Sequence, residues 1–554
     1  MSSFLPRVSS SLIFWPALIA AGEAILVLAW LDPAGDHPHL GAGPGVTVDE
    51  PLNVRQGVQL ADRLFSGDLA GFRALDAALP DYPPLGRVWI GVCHELAFLA
   101  WPPVDSQGVP YSITCARTAS ALAFAATLFF VGWFAARWFG RSTGAWAALA
   151  LLLMPRTFGH AHLASLETCI NLAYALVVFY LADRWGERVG TPSEGGGHGV
   201  QRPPGLKTAI VGGVLLGLAL LIKIQAVLLP IPIALWGLLA LKKRGLLLVP
   251  ILGIVGLLVL FVGWPYLWDA PVDHLRQYLG RTTERAVIYA WYGGQSVADR
   301  ALPWHYPWAF WWTTVPLGLH AAGVWGLWRS LRDPQPRLRA LLLAACCFFP
   351  ILLFSIPGIA VYDGERLFSV SYPLWAVFIG CGTSQLVQWA ARQAKPRLAT
   401  LGLAALLGAQ SGGLWRMAPC WLSYYNLLVG GISGAQSLGL PTTYWGDGVT
   451  RTFLEEVASQ SPEGATIAVA PELYNQQWNE LLLQSPPLNK RQIRFAVLGT
   501  PAAAQAELLL IVPRREYLPE DFRQPFDPEQ IVAAVRREGV VLAALLRRTR
   551  DAPP

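Results

Sequence analysis

The sequence predicts a polytopic α-helical membrane protein that ends in a small soluble α/β domain. Its 554 residues are 54% hydrophobic and only 14% charged, where ordinary soluble domains carry roughly 25% charged residues. Apolar runs of membrane-spanning length recur from Leu12 to about Leu414, and after about residue 440 shorter strand and helix patterns replace them. The Lys and Arg of the short loops also fall on one side once the runs are threaded in alternation.

The runs lie near 11–31, 116–136, 143–158, 165–182, 207–222, 225–241, 246–264, 307–327, 340–358, 367–388 and 398–415, about eleven spans. The first follows Arg7, is long and lacks a small-residue cleavage site, so it reads as a retained helix rather than a signal peptide. With the N-terminus inside, Arg137 and Arg141, the segment from Asp183 to Lys207, Lys242 to Arg244, Arg329 to Arg339 and Arg392 to Arg397 all face the cytoplasm. The expected location is therefore the cytoplasmic (inner) membrane, with the C-terminal domain outside. The net charge of +6 follows from these loops and requires no nucleic-acid partner. The inside segment GTPSEGGGHG has the composition of a flexible linker.

The expected domains are a membrane domain over 1–416, containing a first outer loop over 32–115, and an outer domain over 417–554. In the first outer loop, Asp49 before Glu50 and Pro51 reads as a helix N-cap with Pro in the first turn. Val54, Val58, Ala61 and Phe65 then share one helical face. The segment 85–101 is apolar but carries Arg87, His94 and Glu95, and counting it as a span would reverse the charge bias downstream. It reads as a second helix lying in the outer interface. In the outer domain the pattern gives a helix near 448–459, a TIAVA strand, a helix over 471–484 and strands near IRFAVLG and ELLLIVP, with no catalytic motif. The seven Cys show no metal-ligand spacing, and nothing selects a disulfide among Cys93, Cys115 and Cys420.

The residues that can carry chemistry cluster in the outer loops. Asp49 and Glu50 are an acid pair at the membrane edge. Asp81 to Leu85 is a rigid Pro-rich turn. The loop 155–167 supplies Arg156, His160, His162 and Glu167; the two histidines are either metal ligands or ordinary loop residues. Lys223 interrupts an apolar stretch and reads either as a snorkelling lysine or as the partner of a bound phosphate. Asp363, Glu365 and Arg366 form a compact charged turn with Tyr362 and Gly364. The loop between Trp264 and Pro307 offers further Arg, Tyr and Trp side chains to a sugar or lipid head group.

An acid pair in the first outer loop, an amphipathic helix after it, a PPL turn, FGHAHLASLE after the third span and YDGERLF before a late span together resemble the C-type glycosyltransferases (the GT-C fold). Within that superfamily the order of motifs is similar to the bacterial protein O-mannosyltransferases, aminoarabinose transferases and lipopolysaccharide-core sugar transferases, over roughly residues 10–420. The resemblance implies transfer of a sugar from a polyprenyl-phosphate donor to a lipid, glycan or protein acceptor at the outer membrane face. It gives Asp49 the role of the base that deprotonates the acceptor hydroxyl, with Glu50 beside it, and puts Glu167 in the place of a second loop acid. Relatives often carry Lys or His before the PPL turn, where this chain has Tyr82. Arg87, Lys223 or Arg366 is then the substitute cation for the donor phosphate.

The chemistry agrees with those residue types: the incoming hydroxyl needs a carboxylate base, and the leaving phosphate needs a cation. Direct displacement with one carboxylate predicts inversion at the anomeric carbon. Asp49 and Glu167 are the candidate pair for a divalent ion, since hard cations take carboxylate oxygens. The competing readings are a lipid-linked sugar flippase or solute transporter, which should show paired repeats and mid-membrane polar groups, and a relative that only binds glycans.

Overall fold

The computed structural model describes residues 10–548 apart from 79, 81, 105–109, 187–204, 285, 335, 394, 444 and 525. Asp81 and most of the glycine-rich linker lie outside the described residues. Helices dominate up to Met417, and six helical stretches among the described residues are long and apolar enough to cross a membrane. They are Ser11–Leu28, Ile113–Phe139, Ile224–Gly263, Arg337–Phe354, Arg366–Ala391 and Pro396–Met417. Other expected spans are shorter or divided helices: Arg141–Leu152 has 12 residues, and the run 307–327 is split into Tyr306–Thr313 and Leu317–Arg332 around Pro316. Leu239, Leu246, Val262 and Leu401 are exposed on the outer faces of these helices, as lipid contact requires.

The helix Ile113–Phe139 sets the two ends of the bundle. Near its start the guanidinium of Arg117 is fully buried. Near its end Arg137 donates to Asp183 at 2.7 Å, beside Trp138 donating to the same carboxylate. Twenty residues of helix separate the two arginines, roughly 30 Å, about the thickness of a bilayer's hydrocarbon core. The end at Arg137 also gathers Arg339, which donates to the Ala182 carbonyl, and Trp236, which donates to the Leu338 carbonyl. Basic turns that are scattered in sequence thus meet at one end, and the acid-rich loops lie at the other. Close packing depends on small residues: a Cβ on Gly326 would lie 1.9 Å from the Phe378 carbonyl oxygen, and one on Gly382 1.9 Å from that of Ala322.

Both expected helices of the first outer loop form, as Glu50–Phe65 and Pro84–Ala100. They cross where a Cβ on Gly91 would fall 2.0 Å from the Gly57 carbonyl oxygen. The N-cap expectation for Asp49 is corrected: its backbone is already helical and its side chain makes no capping bond. Glu50 accepts instead from the backbone and hydroxyl of Thr47, at 2.8 and 3.0 Å, and satisfies that turn.

The C-terminal sheet has five strands in the order Arg494–Val497, Thr466–Ala470, Leu508–Ile511, Val540–Arg547, Ile531–Arg537. The first three are parallel, and the last two form an antiparallel hairpin that sequence patterning missed. On its inner side this sheet shares its core with the first outer loop. Val449, Phe453, Ile467, Val469 and Leu510 pack in one cluster with Val46, Val54, Val58, Ile90 and Ala164.

One buried ion pair pins the first loop to the bundle. Arg117 donates to both oxygens of Glu50 at 2.8 Å each and to the carbonyls of Leu31, Pro44 and Gly45, which uses all of its N–H donors. Glu50 also accepts from the Ala164 amide at 2.7 Å. Removing one partner strands a buried charge, so Arg117→Met should destabilise the protein by about 3–5 kcal/mol. Adding Glu50→Gln should recover part of that loss. Thermal unfolding of the single and double variants in detergent checks this, and an Arg117→Met protein as stable as the wild type would refute it.

Candidate functional site

Arg366 stands at the centre of a charged cluster built from four separate segments. Its Nη2 donates to Asp49 of the first outer loop, its Nε to Glu167 at 2.8 Å, and its Nη1 to Asp363 at 3.1 Å. The flat face of the guanidinium lies over the Trp445 ring, 4.4 Å from its centroid. Lys223 donates to Glu167 from the other side. The lysine can do so because the helix Leu206–Leu220 stops there: Lys223 has an extended backbone before a 3-10 turn, as the polar interruption predicted.

The Pro-rich turn is tied to the same bend, because the Leu85 amide donates to the Leu221 carbonyl at 3.1 Å. Tyr82 is close enough to Asp49, Arg366 and Glu167 to feel their charges. Lys223 and Arg366 are the cations of the neighbouring segments that meet the acids beside this turn. Arg87, the third candidate cation, has a different setting. Its guanidinium is buried behind the turn, where it donates to the Tyr82 carbonyl and to Gln56 and lies 3.7 Å from Asp76.

The turn 362–366 is held in an unusual backbone. Asp363 and Gly364 both have positive φ, 54° and 62°, a region that Asp tolerates better than most residues. Asp363 is fixed there by Arg366, by Arg514 at 2.6 Å and by the Trp445 indole N–H at 3.4 Å. Beside it Glu365 accepts from Arg156 at 2.6 Å, and Arg156 also donates to the Tyr424 carbonyl and lies over the Tyr425 ring.

The two histidines have different surroundings. His162 donates to or accepts from no charged side chain; its Nδ1 meets the Phe158 carbonyl at 2.9 Å and its ring lies 4.3 Å from Trp421, a packing role. His160 is buried against Trp445, with ring centroids 5.2 Å apart. Neither of its ring nitrogens has a hydrogen-bond partner among the described residues. Burial lowers the His160 pKa to about 4, and Arg366, Lys223 and Arg156 push in the same direction against Glu167. Glu50, expected beside Asp49 as a catalytic residue, is fully buried and committed to Arg117.

Asp49 and Glu167, the candidate metal pair, share one guanidinium, so a divalent ion would have to displace Arg366 from both. Among the described residues no group of three or more His, Cys, Asp or Glu is placed to hold a metal ion. All seven cysteines are buried and unpaired.

No family model and no curated protein matches the chain. Among solved structures it is similar to ArnT from Cupriavidus metallidurans in the apo state, with 14% identity and a TM-score of 0.48 over 98% of this chain and 99% of that one. The same protein bound to undecaprenyl phosphate gives 14% identity and 0.48 over 99% and 100%. The archaeal oligosaccharyltransferase AglB from Archaeoglobus fulgidus, in complex with an inhibitory peptide and a dolichol-phosphate, gives 11% identity and 0.47 over 92% and 70%.

Sequence reasoning missed Trp445 and Arg514, both contributed by the region after Met417. Arg514 had a legible signal: it follows the parallel strand Leu508–Ile511, and the carboxyl edge of parallel strands is where such sheets place polar contacts. Trp445 had none, because nothing local marks one tryptophan among 24.

A buried neutral histidine resists protonation that the unfolded chain accepts. Its contribution to stability is complete above pH 6.5 and is lost as the pH falls through about 4. Histidine carbon-13 NMR should find His160 uncharged at pH 5.5, and His160→Phe should unfold less readily than wild type between pH 6.5 and 4. An imidazole that titrates near 6.5 would contradict this placement.

Proposed function

We propose that the protein is an inverting glycosyltransferase that moves a sugar from a polyprenyl-phosphate donor to an acceptor hydroxyl at the outer membrane face. The observation that carries this reading is the position of Asp49. Its side chain is 30% exposed, while those of Glu167, Asp363 and Glu365 are 1%, 6% and 1% exposed. Asp49 is thus the accessible acid of the cluster, and it reaches the cluster because it does not cap its own helix.

In this reading the acceptor oxygen attacks the anomeric carbon as the bond from that carbon to the phosphate oxygen breaks. The acceptor proton passes to Asp49, and the bonding electron pair leaves with the polyprenyl phosphate. The Arg366 Nη2 edge that Asp49 occupies is the edge a phosphate oxygen would take. Exchanging one anion for the other would place charge stabilisation at the leaving group and leave Asp49 free to accept the proton. Lys223 adds a second cation on the Glu167 side. His160, neutral and buried beside Trp445, adds no charge to the cluster.

The placement of the cluster at one end of the helix bundle supports a transferase over a transporter, whose site should lie near the midplane. A polyprenyl tail can remain among the exposed apolar helix faces while its head group enters from the side. Orientation with the N-terminus inside, in the cytoplasmic membrane, agrees with the basic turns gathered at the far end.

Replacing Asp49 with Asn should cut transfer by about 10²–10⁴-fold and leave the thermal unfolding midpoint near that of the wild type. Transfer of radiolabelled sugar from polyprenyl phosphate to an envelope extract, using purified protein, measures it. Full activity in that variant would remove Asp49 from the mechanism.

A further inference from the structure

A second polar site lies on the other side of the turn that sends Arg514 into the charged cluster. A cavity of about 470 Å³ opens between the hairpin Tyr289–Ala298, the segment 436–439 and the segment 515–524. This volume falls within the range of small-ligand sites. Its shape comes from backbone rather than side chains. Gly293 and Gly294 form a two-residue hairpin turn with φ of 61° and 78°, the left-handed pair that such a turn requires. The turn rests on Gly439, where a Cβ would lie 2.0 Å from the Gly294 amide nitrogen.

The charges around this cavity are unlike those of the central cluster. Arg117, Arg156, Arg366 and Arg514 are all buried and all bonded to carboxylates. The Arg515 guanidinium has no hydrogen-bond or ion-pair partner among the described residues and lies 5.9 Å from the centroid of the Trp291 ring. Among the described residues the Arg523 side chain uses only its Nε, on the Leu518 carbonyl at 3.0 Å. Among the described residues Glu520 is the single carboxylate in the lining, with no ion pair to either arginine. Two guanidinium groups with free planar edges face one cavity, one wall of which is an indole.

We propose that this cavity binds an anionic saccharide, with Arg515 and Arg523 taking its carboxylate or phosphate oxygens and Trp291 walling the sugar ring. Guanidinium edges match both oxyanions in a two-point geometry, and an aromatic wall suits the apolar face of a pyranose. Within the transferase reading the ligand is the saccharide part of the acceptor, because residues 514 and 515 are adjacent and face the two sites. The binding itself does not depend on that reading.

The test is titration of purified full-length protein in detergent, followed by saturation-transfer NMR and calorimetry. The probes are glucose 6-phosphate, glucuronate, glucose and inorganic phosphate. At least one of the two anionic sugars should bind ten or more times tighter than glucose and than phosphate, and their ratio distinguishes a phosphate-bearing from a carboxylate-bearing ligand. Arg515→Gln and Arg523→Gln should each weaken that binding at least tenfold. Equal affinity for glucose, or equal affinity for phosphate alone, would overturn the proposal. So would unchanged binding in both variants, which would place the ligand elsewhere. Because no turnover is involved, failure here leaves the role of Asp49 untouched, and inactivity of an Asp49→Asn protein leaves this site untouched.

Discussion

The guanidinium of Arg366 is the contact on which the outer half of the molecule depends. It bonds three carboxylates from three segments that are more than a hundred residues apart, Asp49, Glu167 and Asp363, and its open face is covered by Trp445. Without it these acids would face one another in a region of low dielectric, with Lys223 and Arg514 left to hold one each. Such a cluster is costly to desolvate, and its buried acids, Glu167 and Asp363, depend on the guanidinium to offset that cost. Its consequence is specificity: the first outer loop, the loop after the third expected span and the turn 362–366 have one arrangement in which all the charges are met.

Neighbouring acids in the first loop have opposite roles for a geometric reason. Asp49 and Glu50 are consecutive at the start of a helix, so their side chains leave the axis about 100° apart. Glu50 turns inward to Arg117, Thr47 and the Ala164 amide, and is sealed from solvent. That anchor fixes the helix start, and Asp49 is thereby presented to Arg366 at the edge of the cluster. A fixed backbone behind a partly exposed carboxylate is the arrangement a base needs, since the group must keep its position as its hydrogen-bond partner changes.

The features legible in sequence were those written locally. Composition gave the membrane class, Lys223 marked a break in an apolar run, and the patterns of Glu50–Phe65 and Pro84–Ala100 marked two helices that form. The cap that Asp before Glu-Pro suggests at Asp49 does not form, because its side chain serves a tertiary contact with Arg366 instead. Pairings such as Arg366 with Glu167 or Arg117 with Glu50 join residues far apart in the chain, and no local pattern encodes them. For the same reason, nothing local distinguished His160, whose ring nitrogens are unpartnered among the described residues, from His162, which packs on Trp421. Short helices such as Arg141–Leu152 also limited the count of spans, because an apolar run does not reveal where the helix inside it stops.

The C-terminal region cannot be treated as a separate attachment. Its sheet shares a hydrophobic core with the first outer loop, so neither surface is complete without the other. Its polar edge reaches the same place: Arg514 leaves the end of a parallel strand and bonds Asp363, which is itself held in a left-handed backbone. A positive φ at a residue other than glycine persists only where its surroundings over-determine it, and here one of the determining bonds comes from the far end of the chain. The backbone that positions Arg366 is therefore set jointly by the membrane helices and by the sheet, whose 514–515 turn touches Asp363 through Arg514 and lines the cavity through Arg515.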